Sequence, residues 1–148
     1  VDSSVRVLNG GTLTPGNSPG TLYVSGDVTL NDGSIFITEI DGRDYSLAGG
    51  AGSYDRVVLT GADSTFTAAG SVNPILRGIS GNANNDFAPV IGDMFTIVTA
   101  ANVTGEFDTL TQPSDGLQVQ GHLQCGLHSA GGGSREPESS GHGYVRNG

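Results

Sequence analysis

The sequence predicts an all-β fold on the basis of three observations. Apolar residues alternate with polar ones over short runs, and each run stops at Gly, Asn or Asp, which is typical of strands. Glycine contributes 25 of the 148 residues, a composition that favours tight turns. Hydrophobic residues reach only 35% but come in ordered runs, so a packed core is expected instead of a disordered chain.

The first third of the chain predicts three strands in quick succession. The runs are Thr21–Val24, Asp27–Leu30 and Ser34–Ile40. In a strand every second side chain shares one face, so a single phase can be followed through all three runs. That phase places these residues inside: Leu22, Val24, Val28, Leu30, Phe36, Thr38 and Ile40. It also turns Ile35 and Ile37 outward, so the phase of the third strand stays open.

Further strands are predicted along the chain, with two long loops between them. The strand runs are Tyr54–Gly61, Ser64–Ala68, Asn73–Gly78, Gly92–Ala100 and Asn102–Leu110. The loops are residues 42–53 and 80–89, which are rich in residues that tolerate turn or left-handed geometry. No segment has the apolar spacing of a convincing helix.

Two architectures fit these strands. Three strands between Gly20 and Gly42 are enough for one turn of a right-handed, single-stranded parallel β-helix, with the long loops extruded between its rungs. An antiparallel β-sandwich is the alternative, because the turn at residues 31–33, Asn-Asp-Gly, is also a hairpin signal. The spacing alone does not decide between them.

Several motifs follow one another in a distinctive order. A P-G-N-S-P-G turn (Pro15–Gly20) precedes two aliphatic strands, a Y-D strand begins at Tyr54, and a G-D-x-F-x-I strand begins at Gly92 and leads to a V-x-G-x-F step at Val103–Phe107. This order, over residues 5–120, resembles the last passenger rungs of bacterial autotransporters and related large surface adhesins. The resemblance implies a right-handed parallel β-helix outside a Gram-negative cell, with upstream passenger rungs and a downstream outer-membrane β-barrel as its partners.

The composition changes abruptly after Gln120. Residues 121–148 are rich in Gly and Ser and contain all three histidines and the only cysteine, Cys125. The sequence therefore predicts a β-helix passenger-like segment over residues 1–120. The remaining tail is predicted to be disordered or non-native, as after a change of reading frame.

Ser18 lies in a G-x-S-x-G pattern, which is also the nucleophile elbow of serine hydrolases. Such an elbow uses the backbone N–H of the next residue to stabilise the oxyanion and continues into a helix. Here the next residue is Pro19, which has no N–H, and a strand is predicted to follow. We therefore interpret Ser18 as part of a turn, and no catalytic residue is predicted.

No metal or cofactor site is predicted either. Gly49–Val57 is one imperfect copy of a calcium-binding nonapeptide that works only in repeats. His122, Cys125 and His128 have a spacing that matches no established zinc finger. The acidic pairs Asp41/Asp44, Asp27/Asp32 and Glu106/Asp108 could in principle serve a glycosidase, but they are interpreted as solvated turn positions.

The formal net charge is -9, from 15 acidic residues against six arginines. Such a surface repels polyanions, so nucleic acid is not expected as a partner, whereas a cation or a neutral glycan stays open. The single cysteine cannot form an internal disulfide.

The resemblance and the absence of a predicted site favour a non-enzymatic structural and adhesive stalk segment of an exported surface protein, at the cell surface or secreted. The resemblance also implies a role in virulence and a host surface or glycan as partner. One alternative is a fragment of a β-helical polysaccharide-degrading enzyme, against which the dispersion of Arg6, Arg43, Arg56 and Arg77 argues. Another is a non-catalytic glycan-binding module with exposed aromatics, for which the candidates are Tyr23, Phe36, Tyr45 and Tyr54.

Overall fold

The computed structural model describes residues 1–16, 19–44, 52–76, 87 and 89–111, together with the backbone of residues 117–122 and 142–147. Within these residues every regular element is a β-strand. The described chain accordingly contains no helix that could cross a membrane. The predicted all-β class is confirmed.

Three parallel sheets make up the main body. The first has the order β1-β4-β7-β11, with β1 Val5–Val7, β4 Val28–Leu30, β7 Thr65–Ala68 and β11 Asn102–Gly105. The second has the order β10-β6-β3, with β3 Thr21–Val24, β6 Arg56–Leu59 and β10 Val98–Thr99. The third has the order β12-β8-β5-β2, with β2 Thr12–Leu13, β5 Ile35–Glu39, β8 Ser71–Ile75 and β12 Thr109–Leu110.

The chain visits the three sheets in turn and adds one strand to each on every pass. We call these passes rung 1 (β3, β4 and β5), rung 2 (β6, β7 and β8) and rung 3 (β10, β11 and β12); β1 and β2 precede them. The stacked parallel strands are compatible with a β-helix. At Asn31–Gly33 no hairpin forms, because β4 and β5 lie in different sheets and pair in parallel with strands of neighbouring rungs. The antiparallel sandwich does not describe these three sheets.

The register stacks apolar residues on apolar residues. In the first sheet Val5 pairs with Val28, Val28 with Phe66, and Phe66 with Val103. The core cluster enclosed by the sheets consists of Val7, Leu13, Val24, Val28, Leu30, Phe36, Val57, Leu59, Phe66, Ala68, Val72 and Val98. Phe36, Phe66 and Phe107 come from successive rungs, and their ring centroids lie 6.2–6.5 Å apart. Each rung thus buries the inner face of the next.

The predicted phase of the first strands is confirmed for the core. Val24, Val28 and Phe36 are fully buried, and Leu22 is half-buried against the same cluster. Ile35 points outward and is 38% exposed. The alternation therefore continues along β5 as far as Thr38.

A second, smaller cluster covers the point where β5 ends. Ile40, Tyr54 and Phe95 are buried in it, and Phe87 packs on its edge. The Tyr54 and Phe95 rings meet edge to face at 5.3 Å. Ile40 is therefore buried, as predicted, but in this cluster and not in the main column.

A fourth sheet differs from the others because its strands are antiparallel. It has the order β13-β14-β9, with β9 Met94–Phe95, β13 Leu117–His122 and β14 His142–Asn147. The predicted boundary at Gln120 falls within β13. The division of the chain at that point and the nature of the tail stay predictions.

Candidate functional site: a buried acidic corner

Three carboxylates are buried where rung 1 passes into rung 2. Glu39 is the last residue of β5, Asp41 follows it, and Asp55 comes directly before β6; all three are 0% exposed. Charged side chains are rarely buried unless they find partners. The interpretation of Asp41 as a solvated turn position is wrong, because the second cluster covers the chain beyond the end of β5.

Asp55 joins three segments of the chain through its side chain and backbone. Its Oδ1 accepts the Gly20 N–H at 2.7 Å, and its Oδ2 accepts the Glu39 N–H at 3.0 Å. Its own N–H donates to the Glu39 carbonyl at 2.8 Å, and the Thr38 hydroxyl donates to its carbonyl at 3.3 Å. Asp55 therefore holds the beginning and the end of rung 1 against the first strand of rung 2.

Burial raises the pKa of Asp55 to about 6, although the hydrogen bonds from the Glu39 and Gly20 amides act in the opposite direction, and the nearby Glu39 charge raises it further. Because the folded-state pKa lies above the ordinary value of 3.8, the folded protein binds this proton more tightly than the unfolded chain. The stability that this proton contributes is present at low pH and is lost as the pH rises through about 6.

Asp41 joins the two ends of the chain segment that runs from residue 42 to residue 53. Its Oδ2 accepts the Gly52 N–H at 3.1 Å, and its N–H donates to the Ser53 carbonyl at 2.9 Å. Gly42, also buried, lies so close to the Gly52 carbonyl that a Cβ would overlap it. Residues 41–42 and residues 52–53 are therefore in direct contact.

A buried carboxyl with a shifted pKa is often a sign of catalysis. Here both Asp55 oxygens are used by backbone amides, and the side chain is closed to solvent. Among the described residues no three His, Cys, Asp or Glu side chains are grouped to hold a metal ion. The corner therefore has the geometry of a structural clamp, and the chemistry available to it is proton uptake.

Two other aspartates that the sequence analysis singled out also accept hydrogen bonds from backbone amides at corners. Asp27 Oδ1 accepts the Thr65 N–H at 2.8 Å, and Asp108 Oδ2 accepts the Gly70 N–H at 3.0 Å. Both aspartates are exposed, as their interpretation as turn positions required. Each joins one rung to a neighbouring rung.

The described arginines of the segment differ in their surroundings. The Arg43 Nε lies 2.7 Å from Asp93 Oδ1, and its guanidinium sits 4.9 Å from the centroid of the Phe87 ring. This contact lowers the pKa of Asp93 from its ordinary value. Arg56 donates to the Thr96 carbonyl at 3.3 Å, and Arg6 is exposed. Arg77 lies outside the described residues.

The aromatic candidates for glycan binding divide into buried and exposed residues. Phe36 and Tyr54 are 0% and 4% exposed, so they are core residues and cannot meet a glycan. Tyr23 is exposed, and Tyr45 lies outside the described residues. A row of exposed aromatics is not found among the residues that the structure describes.

Several other sequence candidates fall outside the described part of the chain. These are Ser18, Gly49, Cys125, His128 and the side chain of His122. Near Ser18, Pro19 is fully buried and β3 follows at Thr21, so the helix that a nucleophile elbow requires does not follow. The absence of catalytic, metal and cofactor sites stays a prediction.

The Asp55 clamp has no direct sign in the sequence. The available signal was an aspartate immediately before a strand, next to the aromatic Tyr54.

In comparisons with known proteins, no protein-family model, no curated protein and no solved structure matches the chain.

Proposed function

We propose that the chain is a segment of a right-handed, single-stranded parallel β-helix that forms a structural and adhesive stalk of an exported bacterial surface protein, without enzymatic activity. The observation that carries the proposal is the continuous register Val5–Val28–Phe66–Val103 through four parallel strands. A repeated register of this kind builds a rod, because each rung is stabilised by its neighbours.

Polar chemistry in the described residues also supports a structural role. The buried carboxylates accept backbone N–H groups at corners, where strand-to-strand pairing is interrupted. Arg43 and Asp93 form an ion pair with each other at the surface. In this arrangement the charged side chains bind other parts of the same chain. In a glycosidase, by contrast, two carboxyl groups lie in a cleft and are accessible to the substrate.

The proposed setting comes from the order of sequence motifs. The P-G-N-S-P-G turn and the strands after it resemble autotransporter passengers, so the proposed partners are upstream passenger rungs, a downstream outer-membrane β-barrel, and a host surface or glycan. The negative net charge disfavours nucleic acid.

Surface labelling tests this function. Antibodies raised against the 148-residue chain would be applied to intact cells of the source organism, with a periplasmic protein as the control for membrane integrity. We expect labelling of intact cells or recovery of the protein from the medium. Labelling only after permeabilisation would refute the proposal.

A further inference from the structure

We infer that the outer face of the first sheet carries a binding groove for a neutral, hydroxyl-rich oligosaccharide. The groove is a shallow depression with a volume of about 540 Å³ that is largely open to solvent. A ligand would therefore lie along it with part of its own surface still exposed. The groove deepens the adhesive part of the proposed function and rests on that function for its biological setting. The residues of its lining that carry the argument are Leu8, Asn9, Thr29, Asn31, Asp32 and Thr67.

Threonines of neighbouring strands line the groove and continue beyond it along the first sheet. Thr29 and Thr67 are register partners on β4 and β7, and Thr104 is the partner of Thr67 on β11. The Thr67 and Thr104 hydroxyls lie 3.2 Å apart. Neighbouring strands are about 4.8 Å apart, so the line offers hydroxyls at regular intervals along the stack. Each hydroxyl can donate and accept a hydrogen bond, as sugar hydroxyls also do.

Two asparagines, Asn9 and Asn31, also line the groove. The Asn9 side-chain amide occupies the position that a Cβ on residue 33 would need, so the amide fits there because residue 33 is a glycine. Asn31 lies in the turn beneath it, and among the described residues its Oδ1 meets no hydrogen-bond donor. This oxygen is itself buried, so it does not face the groove. Asn9 is exposed, and its amide can both donate and accept a hydrogen bond, as a sugar hydroxyl also can.

The charge and the apolar edge of the groove select the class of ligand. Leu8 is 61% exposed at the edge, where it offers an apolar contact to the C–H face of a sugar ring. Asp32 is exposed and can accept hydrogen bonds from two adjacent hydroxyls. The lining contains no basic side chain, and the net charge of the chain is -9, so sulfated, phosphorylated and sialylated glycans are disfavoured.

The test uses the full 148-residue chain on an array of glucose, mannose, galactose and N-acetylglucosamine oligomers, printed beside sulfated and sialylated glycans. The oligomer bound most strongly is then titrated by calorimetry. We expect binding to a neutral oligomer. Thr67→Val, which removes one hydroxyl and keeps the β-branched shape, should weaken it about three- to tenfold, and Asp32→Ala about tenfold or more.

Thr12→Val is the matched control, because Thr12 is an exposed strand threonine on the third sheet; its affinity should be unchanged. Circular dichroism of each variant checks that the fold is kept. Leu8→Ala lies outside the strands and tests the apolar contact with the sugar ring in the same titration. The proposal is overturned if no neutral oligomer binds, if charged glycans bind better, or if Thr67→Val and Asp32→Ala bind normally. Loss of binding on addition of a chelator would assign the site to a cation and also overturn it. Neither this titration nor surface labelling depends on the outcome of the other.

Discussion

Replacing Asp55 with alanine removes both acceptors of the buried Gly20 and Glu39 amides. A buried N–H without a partner costs about 1–3 kcal/mol, so the two together cost roughly 2–6 kcal/mol. Against this, alanine also removes a carboxylate whose burial is unfavourable at neutral pH. That opposing contribution depends on pH, which allows it to be separated from the lost hydrogen bonds.

The size of the pH-dependent part follows from the two pKa values of Asp55. The pKa of Asp55 is about 6 in the folded protein, and we take the ordinary value of 3.8 for the unfolded chain. The difference in proton binding predicts that Asp55 makes the free energy of unfolding of the wild type fall by roughly 1 kcal/mol between pH 5 and pH 7. The alanine variant lacks this titration. The free energy lost on Asp55→Ala should therefore be about 1 kcal/mol larger at pH 5 than at pH 7.

Urea denaturation followed by far-ultraviolet circular dichroism measures these differences, since the chain has no tryptophan for fluorescence. Asp27→Ala is the matched control. Asp27 also accepts a hydrogen bond from a backbone amide, the N–H of Thr65, but at an exposed corner where water can take the place of the lost carboxylate. We expect the control to cost less than about 1 kcal/mol. If Asp55→Ala does not fold, Asp55→Asn keeps one acceptor and turns an NH2 group toward the other buried N–H, so it should cost at least about 1–3 kcal/mol. An Asp55→Ala cost no larger than that of Asp27→Ala, at either pH, would refute the clamp.

Three further predictions use the same denaturation assay or nuclear magnetic resonance. Phe66→Ala removes the ring that contacts both Phe36 and Phe107 and should cost about 3–5 kcal/mol in urea, whereas Tyr23→Ala, at an exposed tyrosine, should cost under about 1 kcal/mol. Similar costs for the two variants would contradict the central column. Gly70→Ala combines a φ of 67° with a clash against the Ser34 carbonyl, so it should cost more than Gly10→Ala, which has a φ of 78° in open space and should lose about 1–2 kcal/mol. Arg43→Gln should raise the pKa of Asp93 toward its ordinary value in a carboxyl titration by nuclear magnetic resonance, and an unchanged pKa would contradict the ion pair.

The alternation of apolar residues predicts β3 to β7 of the main body. It missed β1 and β2, and the runs at residues 92–100 and 102–110 each contain two strands. Thr21–Val24 was predicted with the bounds that the structure has, and Asp27–Leu30 differs from β4 by one residue. These segments are buried on one side only, so a period of two is visible in the sequence. The rung order was open to a hairpin alternative because local turn chemistry at residues 31–33 fits both a hairpin and a corner.

The acidic corner could not be predicted in the same way. From Thr38 to Gly42 every residue is buried, so the alternation disappears just where the chain leaves the main column. The residues that cover it, Tyr54 and Phe95, come from other rungs and cannot be assigned from local sequence. An acidic residue next to glycine looks like a solvent-exposed turn unless these distant contacts are known.

The corner contacts connect the acidity of the chain to its architecture. In stacked parallel strands the ladder satisfies the backbone amides within each sheet, but it is interrupted where the chain turns from one sheet to the next. Carboxylate oxygens accept hydrogen bonds from such amides of another rung at three aspartates, which are Asp27, Asp55 and Asp108. An aspartate can do this because its short side chain reaches the backbone of the adjacent rung with acceptors and no donor. Part of the net charge of -9 is therefore a requirement of the stacked corners, and these aspartates should be less replaceable by lysine or arginine than the exposed acids that accept no amide from another rung.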